Sequence, residues 1–227
     1  MTRLLCCIIV PYLYSSLMPQ KVKTDDKVKI LAQNTAYGGY ARVEKFDLQF
    51  RLYDGEWSRP VSREIVYRGE AAVVIPYDPQ KDMVLMIEQF RLPALCKNMD
   101  PWLTELPAGM VEDSSESIES VAAREMMEET GLGITHLRHL HSFLPSPGVL
   151  AETLHLFVGK VDLSPLDNGH GMYHGAREED EDIKLCPMPL SDVPNLLKQD
   201  KIKNASSMLG LYWLLLHRDE LRKEWKS

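Results

Sequence analysis

The amino-acid sequence predicts an α/β fold, one domain with a small accessory β element ahead of it. Three observations carry that expectation. Residues 44–53 alternate with Phe46, Leu48, Phe50 and Leu52 on one side, the period of a half-buried strand. Ser117 is placed to cap a helix running to about Thr130, with Glu119 in its first turn and Gly131 set to end it. Two amphipathic segments, 191–199 and 204–217, close the chain with Leu, Met and Trp inside. The 227 residues suffice for one such domain with an ample core, and 44% hydrophobic with 26% charged residues suit a soluble globular protein.

Taken in order, the first seventeen residues stand apart as an N-terminal extension. Arg3 precedes an unbroken apolar run, 4–10, followed by Pro11 and a Tyr/Ser/Leu stretch, which is too short and interrupted for a spanning helix. Three readings stand: an over-extended start ahead of Met18, a targeting or anchoring segment, and a packed apolar strand. Residues 18–69 form the accessory element. In it the 44–53 strand turns at Asp54-Gly55 and returns as 61–68. Residues 70–227 form the main domain. Strands are expected at 71–76 and 83–90 around a turn-rich connector, then the 117–130 helix with Ile118, Val121, Ala122 and Met126 on its buried side. Strands follow at 134–143 and 154–161, and the Gly/Asp/Asn/His-rich stretch 163–176 reads as a loop.

The chemistry is concentrated in the helix. Glu125 and Glu129 stand four residues apart on one face, with Glu128 beside both. Like charges at that spacing repel by a few tenths of a kcal/mol per pair, roughly, so water must screen them or cations occupy them. Hard oxygen ligands of this kind suit Mg²⁺, which takes one or two carboxylates plus substrate phosphates. The segment 109–132 reads Gly-x6-Glu-x7-Arg-Glu-x-x-Glu-Glu-x-Gly-Leu. It closely resembles the Nudix box, Gly-x5-Glu-x7-Arg-Glu-U-x-Glu-Glu-x-Gly-U with U apolar. The spacing from Gly109 to Glu116 is one residue longer than in the family, which a longer loop absorbs, and Ser115 stands where a glycine is frequent.

The resemblance extends from about residue 37 to residue 225 and narrows to bacterial ADP-ribose diphosphatases. It is carried by Arg63-Glu64, Arg68-Gly69-Glu70-Ala71-Ala72-Val73, Glu88-Gln89-Phe90-Arg91, Ser146-Pro147-Gly148 with Glu152, His174-Gly175-Ala176 ahead of the acidic run 178–182, and Lys201-Ile202-Lys203-Asn204-Ala205. Val149-Leu150-Ala151 departs from a segment that is Gly- and Ser/Thr-rich in relatives. The resemblance implies an α/β/α sandwich with a mixed sheet. It implies Mg²⁺, or Mn²⁺ in its place, held by Glu125, Glu129, the Ala108 carbonyl, Glu128 and Glu181. Arg124 would pair with Glu116 and orient the helix carboxylates, with Gly109 and Gly131 shaping the loop and the helix end. Glu179 would be the general base, with Glu181 the other candidate. Arg91 and Glu152 would meet the diphosphate and terminal-ribose region, Arg63 and Glu64 would reach the adenosine part from a partner subunit, and Tyr40 would be a further substrate-binding residue. A homodimer built on the N-terminal β element follows from the same match, and the Phe46/Leu48/Phe50/Leu52 face gives it a physical basis.

The expected reaction is hydrolysis of ADP-ribose to AMP and ribose 5-phosphate. The box engages only the diphosphate, so ADP-glucose and GDP-mannose remain alternative substrates, as does a non-catalytic nucleotide-binding regulator on the same scaffold. A net charge of −7 with no basic stripe argues against nucleic acid as a partner. Cys6, Cys7, Cys96 and Cys186 form no CxxC pair, which fits a reducing cytoplasm, and no membrane association is expected.

Overall fold

A computed structural model describes residues 22, 24–39, 41–113, 115–169, 171–175 and 181–225. The N-terminal extension, Tyr40, and Glu178, Glu179 and Asp180 of the acidic run lie outside the described residues.

The strands are β1 (Val28–Gly38), β2 (Arg42–Phe50), β3 (Val61–Asp78), β4 (Met83–Phe90), β5 (Trp102–Glu105), β6 (Ala108–Met110), β7 (Thr135–Phe143), β8 (Leu150–Lys160), β9 (Tyr173–His174) and β10 (Ile183–Pro189). The helices are α1 (Leu92–Leu95), α2 (Ile118–Thr130), α3 (Val193–Lys198) and α4 (Ala205–Trp225). Among the described residues the strands form one sheet, ordered β1-β2-β3-β4-β10-β9, with β5 on β4, β6 on β3, and β7 joined through β8 to β3. The β3–β8 pairing is parallel and the rest are antiparallel, so the sheet is mixed.

Both faces of the central strands are covered, as their unbroken apolar runs require. On β3, Val73, Ile75 and Tyr77 point into a core shared with Leu156 and Val158 of β8, Val193 of α3, and Leu211, Leu214, Leu221 and Trp225 of α4. The alternate residues Ala72 and Val74 meet Phe157, Val121, Ala122 and Met126 on the α2 side. That is an α/β/α sandwich. Complete burial of a side chain such as Phe157 contributes about 2–3 kcal/mol.

The two strands expected at 61–68 and 71–76 are one continuous strand. Gly69 adopts φ +81 where the register against β8 shifts between Tyr67 and Gly69, so a bulge bends β3 without breaking it. β3 therefore links the N-terminal hairpin directly to the central sheet. The expected alternation also ends early: Phe46 is buried, but β2 stops at Phe50, and Phe50 and Leu52 are exposed. β1, β5, β6, β9, β10 and the short α1 lie outside the elements expected from sequence, and β9 falls within the 163–176 stretch that reads as a loop. β1 is polar and irregular, with two register breaks against β2. β10 carries Pro187 and Pro189, which normally exclude a strand, but β9 pairs only with Ile183 and Lys184, so the prolines face no ladder on that side. α4 runs beyond 217 because Leu221 and Trp225 continue its apolar stripe past the charged turn.

One polar cluster fastens α4 to the sheet. Asp82, in the β3–β4 turn at φ 59, accepts a hydrogen bond from the Tyr77 hydroxyl at 2.7 Å, and its two oxygens share the Arg218 Nε–H at 2.9 and 3.0 Å. Arg222 lies 3.3 Å from the same carboxylate. Among the described residues no helix is long and apolar enough to cross a membrane.

Candidate active site

α2 begins and ends where its sequence dictates. The Ser117 hydroxyl accepts the Ser120 N–H at 3.2 Å, and Gly131 at φ 67 returns its N–H to the Met127 carbonyl. With Val121, Ala122 and Met126 turned to the core, Glu125 and Glu129 face Ala108 and Gly109, which lie on strand β6 and not on the loop that the sequence suggests.

The contact there is close. A Cβ on Gly109 would lie 1.7 Å from the Glu125 carboxyl carbon, so the carboxylate rests directly on the glycine and any side chain would displace it. One turn on, Glu129 Oε2 accepts the Ala108 N–H at 3.0 Å. Arg124 spreads over the other side: Nη1 is 2.9 Å from both Glu125 Oε1 and Glu128 Oε2, Nε is 3.4 Å from Glu116, and Nη2 donates to the Met110 carbonyl at 3.3 Å. Glu116 thus reaches Arg124 despite the extra residue in the loop.

Glu129 is only 3% exposed, and burial pushes its carboxyl well above the usual range, with the charge of Glu125 adding to the effect. Burial also raises Glu125 to about 7, against the opposing pull of Arg124, and Glu128 and Glu181 push in the same direction as burial. Glu181 is therefore near both. Its backbone carbonyl would stand 2.7 Å from a Cβ on Gly175, so Glu181 and Gly175 are apposed. Arg124 and Arg91 leave the carboxylates of Glu125, Glu128, Glu129 and Glu181 in excess, and hard oxygen donors against the backbone of β6 fit a divalent cation. Among the described residues there is no group of three or more His, Cys, Asp or Glu side chains that could hold a metal ion. Mg²⁺ does not need one, since substrate phosphates and water complete its shell.

Arg91 stands beside the group, near enough that its charge opposes the rise at Glu129. Its Nε and Nη2 both donate to Glu105 Oε2, at 3.0 and 2.8 Å. Glu152 is 3.9 Å from Arg68, and burial raises its carboxyl against that arginine. Arg63 and Glu64 are not gathered in. They are exposed on the half of β3 that pairs with β2, nine and eight residues from Ala72, or about 26–30 Å along the strand. Tyr40 and Glu179 lie outside the described residues. Glu105 was missed: it reads as one acidic residue in a short apolar strand, and only the fold shows it 2% exposed beneath Arg91. A separate cavity of about 430 Å³ lies between the β3–β4 turn and the segment after α2, away from these carboxylates. Its Asp78 is committed to the N–H groups of Gln80, Lys81 and Leu163.

Residues 67–208, which span the whole loop, helix and acidic segment, match the NUDIX domain family model. The chain belongs to the NUDIX family. It is 39% identical over 198 residues to an ADP-ribose pyrophosphatase of Escherichia coli, covering 87% of this chain and 92% of the relative. It is 31% identical over 191 residues to a GDP-mannose pyrophosphatase of Cronobacter sakazakii, covering 84% and 93%. Among solved structures, an ADP compounds hydrolase superposes with a TM-score of 0.64 at 22% identity, covering 91% of this chain and all of that one, which supports the NUDIX fold.

Proposed function

We propose that this chain is a divalent-metal-dependent hydrolase that splits ADP-ribose with water into AMP and ribose 5-phosphate. The observation that carries the proposal is the pair of desolvated carboxylates, Glu125 and Glu129, pressed against Gly109 and Ala108. Burying two acids side by side costs stability, and a bound cation would offset that cost. The 39% identity to an ADP-ribose pyrophosphatase supports the substrate.

Glu125, Glu129 and the Ala108 carbonyl would hold the metal, Mg²⁺ or Mn²⁺, with Glu128 and Glu181 assisting. When bound, such ions neutralise the diphosphate oxygens, acidify the attacking water and stabilise the leaving phosphate. Arg124, anchored on Glu116 and the Met110 carbonyl, keeps the helix carboxylates oriented. Arg91 presents N–H donors to the diphosphate and Glu152 meets the terminal ribose. Glu179 takes the proton from the attacking water, with Glu181 next in line. Arg63 and Glu64 bind the adenosine part, with Tyr40 a further substrate-binding residue; the remote place of Arg63 and Glu64 within one chain supports their being supplied by a second subunit through the N-terminal β element. The cytoplasm is the proposed setting, where Cys96 and Cys186 remain free thiols.

Incubation with ADP-ribose and Mg²⁺ should release AMP, and a chelator should stop it. Glu125→Gln should lower turnover by about a hundredfold or more while leaving the circular dichroism spectrum unchanged. Near-normal activity in that variant would remove the site. GDP-mannose is the second reading, favoured by the Cronobacter relative, and a higher kcat/KM for it than for ADP-ribose would replace the proposed substrate.

A further inference from the structure

The guanidinium of Arg91 is held by a chain of contacts that begins outside the Nudix box, at the start of the last helix. Asn204 immediately precedes α4 and caps it: its Oδ1 accepts the Ser207 N–H at 3.0 Å and the Ser206 hydroxyl at 2.6 Å. Its other amide atom, Nδ2, donates to Glu105 Oε1 at 3.0 Å. The second Glu105 oxygen takes Nε and Nη2 of Arg91. Ser207 then accepts the N–H of Leu106, the residue after Glu105, at 2.8 Å. Both sides of the Glu105–Leu106 step are therefore gripped by the first turn of α4. Glu105 is 2% exposed and has no freedom to swing, whereas the Arg91 side chain is 41% exposed. With one edge of the guanidinium committed, Nη1 has no partner among the described residues and is left for an anion.

We infer that Glu105 and Asn204 are positioning residues for Arg91, fixing the plane of its guanidinium so that its open edge meets the substrate's diphosphate. What Arg91 meets rests on the hydrolase reading; how Arg91 is held does not. A long arginine side chain loses rotamer freedom on binding an anion, and a prebuilt holder removes that cost in advance. The effect therefore falls on substrate binding. Capping alone would be indifferent to the identity of the residue at 204, provided that it caps.

Asn204→Ser separates the two roles, because serine caps a helix as well as asparagine but is too short to reach Glu105. The first readout needs no substrate: the Arg91 Nε–H resonance of ¹⁵N-labelled protein, assigned by its loss in Arg91→Lys. Its exchange with solvent should accelerate about tenfold or more in Asn204→Ser, with Tm within about 2 °C of the unaltered chain. The second readout is kinetic. KM for ADP-ribose should rise about five- to tenfold with kcat within about twofold, and in an Arg91→Ala background the same change should add nothing. An unchanged Nε–H exchange rate would overturn the inference. So would a rise in KM of equal size in the Arg91→Ala background. Faster exchange with ADP-ribose kinetics unaffected in every variant would uphold the holder and instead remove ADP-ribose as the ligand of Arg91.

Discussion

Glu129 shows how much of the site depends on single side chains. A carboxylate 3% exposed, with Glu125 as a near neighbour, has its folded-state pKa raised, so the ionised form penalises the metal-free fold at neutral pH. That penalty disappears as pH falls through the raised value and the group takes a proton. Glu129→Gln should accordingly raise the Tm of the metal-free chain at pH 7–8, by about 2–6 °C, while abolishing turnover. A lower Tm in calorimetry would show that the carboxylate is not strained. Gly109→Ala probes the same place from the other side. Its new methyl group collides with the movable end of Glu125, not with backbone, so the fold should survive and activity fall about a hundredfold. The glutamates themselves were legible from spacing alone. Their burial was not, nor was Glu105 beneath Arg91, because both depend on partners 14 to 21 residues away in sequence.

At the level of elements, α2 was the most readable part of the chain, since its cap, its apolar stripe and its terminating glycine are all local signals. Ser117→Ala should cost about 1 kcal/mol and lower Tm by about 2–4 °C in thermal melts, because only the cap of a well-packed helix is lost. The strands were less readable. The two segments either side of Gly69 look separate because a glycine inside an alternating run resembles a break. Only pairing with β8 on one side and β2 on the other shows a bulge in one strand. β10 hid behind its prolines, whose missing N–H groups matter only where a second strand would need them.

For the whole molecule, cohesion depends on how the sandwich layers are tied together. Arg218 holds the Asp82 carboxyl below its ordinary value by hydrogen bonding, with Tyr77 and Arg222 assisting against burial. A depressed carboxylate gives its full stabilisation above its unfolded pKa and loses it as pH drops through the folded value. Between about pH 5 and pH 2 the unaltered chain should therefore lose stability more steeply than Asp82→Asn. At pH 7 that variant should be the less stable by about 1–2 kcal/mol, a partly exposed cluster being discounted for solvent. Denaturant melts across this range, parallel in slope for both proteins, would refute the tie. The sandwich itself was expected from the resemblance to the Nudix family, but the Asp82 cluster could not be anticipated, because 136 residues separate its two main partners.

α4 joins these scales. Its first turn grips the strand beneath Arg91, and its last turns fasten to Asp82 and, through the Trp225 carbonyl, to Lys160. A cut between Glu220 and Leu221 would remove the far anchors at Arg222 and Trp225. With its far end loosened, the helix would hold the Glu105–Leu106 step, and Arg91 with it, less firmly, so a cut at one pole of the protein should be felt at the other while most of the sheet still stands.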